Sequence, residues 1–558
     1  MTNRRRPNNI SRAVDGTSVR PQEHMPVPPG SESAGDRRGL SARLARWRDR
    51  LGPPRSYWLT RFVLLRLLGL VYFFAFVSLA TQLLPLIGSH GLLPAAAFLS
   101  RIEGYFGSRT DGFLQFPSLF WIDTSDPFLV AMAWSGVALS LLVLSGFANS
   151  ILLFILWALY MSFVNIGQDW YGYGWEIQLL ETGFLAMFLC PLVDPRPFPR
   201  RPPPAPVVWL FRWLAFRIML GAGLIKIRGD PCWRDLTCLY YHYETQPIPN
   251  PLSRYLHFMP KWFHRGGALW NHVCELIAPW FGFGPRLARH VAGFLMVTFQ
   301  CILILSGNLS FLNYLTIVPM LACFDDSLLR RLLPRRLVAR AERAAAAAEE
   351  SPAHQAVVGV LVLVVALLSY YPVLNLMSSH QAMNTSFNRL SLVNTYGAFG
   401  SVGKERHEIV FEGTDDAAIT DATRWREYEF RCKPGDPLRR PCIIAPYQPR
   451  IDWQIWFAAM SVPERYPWTV HLIWKLLHND PGALSLLAND PFPGSPPRFI
   501  RARYYLYQFA PPGDPGGAYW KRTLLGTWLP ALSVDDPRLR RFLTAYGWLP
   551  RDASSGTP

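Results

Sequence analysis

Apolar positions dominate about nine stretches of this chain: Tyr57 to Leu84, Pro127 to Phe147, Asn149 to Val164, Trp175 to Leu192, Val207 to Ile227, Ala268 to Phe283, Leu287 to Ser306, Leu309 to Phe324 and Gln355 to Leu376. A hydrocarbon core of about 30 Å is crossed by roughly 20 apolar helical residues, so these runs predict a polytopic α-helical membrane domain of about nine spans. The sixth run carries Asn271, His272 and Glu275, which leaves a re-entrant or interfacial helix as its alternative form. Beyond Asn375 the pattern changes. Strand-like alternation at His407 to Phe411, Trp425 to Arg431 and Phe499 to Phe509, with helix-like runs at Asp452 to Met460 and Trp468 to His478, predicts a smaller soluble α+β C-terminal domain.

Cations settle the direction of the chain. Residues 1–55 are rich in Arg, Pro, Ser and Gly, with too little apolar surface to offset chain entropy, and read as a disordered cytoplasmic tail. With that tail inside, the loops bearing Arg196, Arg200 and Arg201, then Arg286 and Arg289, then Arg330 to Arg343 all fall on the same side, as the positive-inside rule requires. Removing the sixth span would break this pattern. The resulting division is a tail over 1–55, a membrane domain over 56–376 with an exoplasmic loop at 228–267, and an exoplasmic domain over 377–558. The net charge of +17 is therefore a topology signal with membrane lipid as the partner, not a nucleic-acid footprint.

Eight cysteines without a Cys-x-x-Cys exclude a zinc ribbon and a thioredoxin-type motif. Cys232 with Cys238, and Cys432 with Cys442, each close a small loop on the oxidising side and are expected as structural disulfides, with a thiol relay as the alternative. Cys190, Cys274, Cys301 and Cys323 lie in apolar runs and read as core. Arg66, Glu181, Arg217 and Lys226 also lie within or at the end of apolar runs, where a charge costs about 2.5 to 3.5 kcal/mol, so each needs a partner or a cavity. Glu181 with Arg217 or Arg66 is the expected pair. Asn271, His272 and Glu275 share one helix face, forming either an acid/base pair or a polar seam. His242, His257, His264 and His272 match no zinc spacing, and neither metal nor cofactor is expected. No Gly-x-Ser-x-Gly elbow, P-loop or dinucleotide fingerprint occurs, so no catalytic role is assigned.

The densest polar and aromatic stretch runs from Lys226 to Pro251 and is followed by His257, Pro260, His264 and Asn271-His272-Val-Cys-Glu275. With Asn394 to Arg406, Glu412-Gly413-Thr414 and Pro446 to Gln454, it resembles the lipase maturation factor family across most of the chain. That resemblance implies a membrane-resident, chaperone-like factor that helps secreted lipases or other exported proteins fold and assemble. It implies the endoplasmic reticulum membrane, or the plasma membrane for the bacterial source that the Arg-, Ala- and Pro-rich composition favours. Exposed aromatics would hold a client by apolar contact, and Trp233, Tyr241, His242, Glu244, Trp425 and Trp453 are the client-binding candidates. The helical part also resembles, in layout and a few residues, the membrane domain of vitamin K-dependent carboxylases. That alternative would make Lys226 and His242 the proton-transfer residues of an embedded enzyme.

Overall fold

Each of the nine apolar stretches contains a helix in the computed structural model, which describes residues 56–550. In chain order the principal helices are α1 (Trp58–Ala80), α2 (Asp126–Ser145), α3 (Ser150–Ile166), α4 (Gly174–Met187), α5 (Ala205–Gly229), α6 (Lys261–His272), α7 (Arg286–Ser306), α8 (Leu312–Met320) and α9 (Pro352–Leu368), the last continued by Tyr370–Met377. The tail expected over residues 1–55 lies outside the described residues.

Among the described residues, five helices are long and apolar enough to cross a membrane: α1, α2, α5, α7 and the Pro352–Met377 stretch. A sixth results if Leu312–Cys323 and Asp326–Leu332, bent by 120°, count as one span. The remaining runs fall short of the expected nine. Helix α3 has 17 residues and α4 has 14, and at 1.5 Å per residue the latter reaches only about 21 Å. The sixth run is broken into α6, a π-helical turn at Val273–Ile277 and a short helix at Ala278–Phe281. Close packing needs glycine at two crossings, because a Cβ on Gly136 of α2 would run into the Phe76 ring of α1, and one on Gly183 of α4 into the Tyr72 hydroxyl.

Residues 228–267, expected as a loop, are instead folded into helices at Pro231–Arg234, Leu239–Thr245 and Pro251–His257, followed by the start of α6. The local sequence dictates this. Asp230 and Asn250 each cap a helix that begins with proline, and Asn250 and Ser253 exchange bonds as a capping box.

The C-terminal region holds one antiparallel sheet of β1 (Arg406–Thr414), β2 (Arg426–Tyr428), β3 (Phe499–Phe509) and β4 (Trp520–Leu532), in the order β2-β1-β3-β4. Helices α10 (Arg450–Ala459) and α11 (Trp468–Leu476) lie where helix-like runs were expected. Strand β4 was not expected, since Gly526 and Pro530 interrupt its pattern. Its edge position accounts for this: an edge strand needs ladder bonds on one side only, and its register against β3 is irregular near Pro530.

The helical and sheet regions share one apolar core that includes Tyr72 and Trp170 from the former and Trp453 and Trp468 from the latter. The Trp170 and Trp468 rings meet at 5.0 Å, and the described residues form one compact unit. Cys190, Cys274 and Cys323 are buried, whereas Cys301 is exposed on α7, contrary to its expected core placement. Membership of an apolar run does not tell which face of the helix a residue occupies.

Candidate functional site

The three motif blocks, distant in sequence, close around one cavity of about 1120 Å³. Its walls include Lys226, Trp233 and His242 from the first block, Tyr396 and Phe399 from the second, and Trp453 from the third. The second block runs along α5 so closely that a Cβ on Gly229 would lie 2.6 Å from the Gly400 carbonyl. Trp233 Nε1 donates to the Phe399 carbonyl at 2.8 Å. The third block contributes an aromatic corner: Tyr173 stacks on Trp175 at 4.4 Å, and the Trp453 ring meets Trp175 at 5.0 Å.

The buried charged groups on the walls are paired. Lys226 Nζ lies 2.5 and 2.6 Å from the two Glu275 carboxylate oxygens and donates to Asn271 Oδ1 at 3.1 Å, while Asn271 Nδ2 donates to Glu275 at 2.9 Å. The Trp233 ring covers this ammonium at 5.1 Å. Glu275 sits on the π-helical turn, which displaces it from regular helical register toward α5. Of the two readings of Asn271 and Glu275, the geometry is that of a seam, tied across helices by Lys226. His272 contributes elsewhere, with Nε2 donating to the Trp233 carbonyl at 2.9 Å.

A second buried cluster centres on Glu181 of α4. It pairs with Arg217 of α5 and accepts from the Asn394 backbone N–H at 3.0 Å and the Tyr396 hydroxyl at 2.7 Å. Arg217 Nη1 donates in turn to the Asn394 carbonyl at 2.6 Å. Arg66, the other expected partner, stands apart with its guanidinium 5.0 Å from the Phe62 ring.

His242 lies on the wall with 7% of its surface exposed, edge-on to Phe399 at 4.9 Å. Burial and the nearby Lys226 ammonium hold its imidazole down at about 4. No hydrogen bond joins it to Lys226, whose partners are Asn271 and Glu275, so the two residues do not form a proton relay in this arrangement.

The remaining candidates scatter. Trp233 and Trp453 are buried at 2% and 4% exposure and reachable only through the cavity. Glu244 is spent within the fold, accepting from the Phe509 backbone N–H at 2.6 Å, and burial raises its carboxyl above the usual range. Tyr241 and Trp425 are half-buried outside the cavity, the latter under the Arg501 guanidinium at 3.8 Å. Cys232 is joined to Cys238 and Cys432 to Cys442, with Cα separations of 4.8 and 5.5 Å. Asp230 is close enough to the first pair to complete a metal-ligand group, but the two sulfurs are bonded to each other.

Two residues missed by sequence reasoning hold the blocks in place. Arg450 Nη1 is 2.9 Å from Glu176 of α4, and both side chains are fully buried. Arg406 pairs with Glu408 at 2.6 Å and donates to the carbonyls of Glu244, Gln246 and Pro247. Both arginines lie in the quoted motifs; Arg450, between Pro449 and Ile451, was legible as a cation among apolar neighbours, whereas Arg406, between Glu405 and His407, carried no such signal.

This assembly of short and long membrane-type helices, a folded segment after α5 and a small antiparallel sheet matches known proteins over nearly its full length. Residues 59–331 match the family model for the lipase maturation factor transmembrane domain, and residues 392–530 that for the lipase maturation factor C-terminal domain. The chain belongs to the lipase maturation factor family. It is 50% identical to "Lipase maturation factor 1" of Bos taurus over 94% of this chain and 95% of that protein. The corresponding figures for the Homo sapiens protein of that name are 47%, 97% and 99%. It is 29% identical to "Lipase maturation factor 2" of Homo sapiens over 88% of this chain and 85% of that protein. No solved structure matches.

Proposed function

We propose that this chain is a membrane-resident maturation factor that assists secreted lipases or other exported proteins in folding and assembly. The observation that carries this reading is the near full-length kinship with proteins named for lipase maturation, which takes in the membrane part, the folded 228–267 segment and the sheet together. The proposed division is a cytoplasmic tail over 1–55, a membrane domain over 56–376 and an exoplasmic domain over 377–558. The Arg330 to Arg343 run lies on the cytoplasmic side in this topology. The membrane is that of the endoplasmic reticulum, or the plasma membrane in a bacterium.

Client contact falls to groups that are exposed. Trp262 is 74% exposed at the cavity rim, Tyr241 and Trp425 are half-exposed, and β4 offers an unpaired sheet edge. Such surfaces hold incompletely folded chains with few directional demands. The reading is tested by expressing a secreted dimeric lipase in cells lacking their own maturation factor, with and without this chain. A rise in secreted active dimer is expected, and a lipase equally inactive with and without the chain would overturn the lipase client.

A further inference from the structure

The cavity between the motif blocks has features of a ligand site that client handling does not require. At about 1120 Å³ it exceeds the roughly 300–1,000 Å³ of ordinary small-molecule pockets. Met219 and Ala222 of α5, Phe299 and Leu303 of α7 and Leu312 of α8 give its inner wall apolar surface, beside the mutually bonded pairs Gln178–Thr316 and Asn313–Gln300. Helices α5 and α7 have membrane-crossing length, and Ile302 of α7, which lines the cavity, is 42% exposed.

Charge decides what kind of molecule. The deeply buried cations on the wall are already neutralised, Lys226 by Glu275 and Arg406 by Glu408. An ionic headgroup would be desolvated there without a counter-charge, which is strongly unfavourable. Besides the Tyr173 hydroxyl and the Trp270 and Trp453 indole N–H groups, His242 is a polar group of the wall that the protein leaves without a partner. Among the described residues its imidazole makes no hydrogen bond to protein, so one N–H donor and one ring nitrogen acceptor face the cavity unclaimed. A hydroxyl or an ester carbonyl suits that pair. Because burial and Lys226 hold it uncharged near neutral pH, it does not call for an anion.

We propose that this cavity binds one uncharged acyl lipid of the diacylglycerol class, its hydroxyl or ester head at His242 and its chains between α5, α7 and α8. The lipid fills space that would otherwise weaken the junction of the motif blocks. This goes beyond the maturation role and does not depend on the client being a lipase.

The test uses the full chain in nanodiscs and a diacylglycerol carrying a diazirine in one acyl chain and an alkyne for detection. After photolysis, labelled peptides are mapped by mass spectrometry. Label on residues 218–225 and 299–312, displaced at least five-fold by excess unlabelled diacylglycerol but not by phosphatidate with the same chains, is the expected result. Ala222→Phe, which occupies the cavity, should lower that label at least five-fold. His242→Phe keeps the ring volume and should weaken competition by diacylglycerol about ten-fold. Label confined to outward residues such as Val291 and Phe294, label displaced equally by phosphatidate, or label displaced only by an apolar client peptide would overturn the proposal. The wild-type map decides the matter even if a variant fails to fold.

Discussion

Arg450 and Glu176 form a fully buried ion pair, 2.9 Å apart, between the first turn of a C-terminal helix and the first turn of α4. Its neighbours are equally committed: Arg450 Nη1 also donates to the Trp170 carbonyl at 2.5 Å, and the Arg450 backbone N–H donates to Gln82 of the α1–α2 connection at 2.8 Å. The C-terminal region is thus plugged into the helical region rather than tethered beside it.

Removing one member of this pair leaves an uncompensated buried charge, which costs about 3–5 kcal/mol. Arg450→Met is expected to lower the melting temperature of the detergent-solubilised protein sharply and to cut its yield. Glu176→Gln added to it should recover part of the loss. If the double variant is no better than the single, the charge pair is not what holds the junction.

The Lys226–Glu275 seam makes a parallel prediction with a functional reading. Lys226→Met alone strands Glu275 and should destabilise by a similar 3–5 kcal/mol, while Lys226→Met with Glu275→Leu should melt within about 1.5 kcal/mol of wild type. Client maturation should follow stability, with the double variant active. A stable but inactive double variant would show that the ammonium acts in function and not only in packing.

Four of the eight cysteines are bonded in the structure. Alkylation of the denatured, unreduced protein from an oxidising compartment should modify four thiols and, after reduction, eight. Cys432→Ser with Cys442→Ser should cost about 2–4 kcal/mol through the loop it frees. Unreduced modification of all eight would remove both bridges.

Acid should loosen the fold through histidines buried in the uncharged state. His471 accepts burial under Trp548, stacked at 4.4 Å, with Nδ1 donating to the Leu92 carbonyl at 2.8 Å. Burial holds its imidazole down at about 4, as it does that of His242 with help from Lys226. A histidine whose folded value is depressed contributes stability that is complete above its unfolded value of about 6.5 and is lost as pH falls toward 4. The melting temperature should therefore drop between pH 6.5 and 4.5, and His471→Phe should flatten that slope. An unchanged slope would assign the acid sensitivity to other groups.

Much of this architecture was legible in the chain. Apolar runs located the membrane-length helices α1, α2, α5, α7 and Pro352–Met377, because burial in hydrocarbon or protein demands the same composition. Strands β1 to β3 and the pairing of Glu181 with Arg217 likewise follow from local alternation or from the high cost of an isolated intramembrane charge. Tertiary structure decided the rest. Whether the 14 residues of α4 span a membrane or end inside the protein depends on what packs around them, and here Arg450, Asn394 and Tyr396 supply partners to its carboxylates. Cys301 and Cys323 are alike in sequence setting, yet only the fold turns one outward and the other in. The cavity is the clearest case. Its walls come from segments such as Trp233 and Phe399, 166 residues apart, and no periodicity in either segment encodes the space between them.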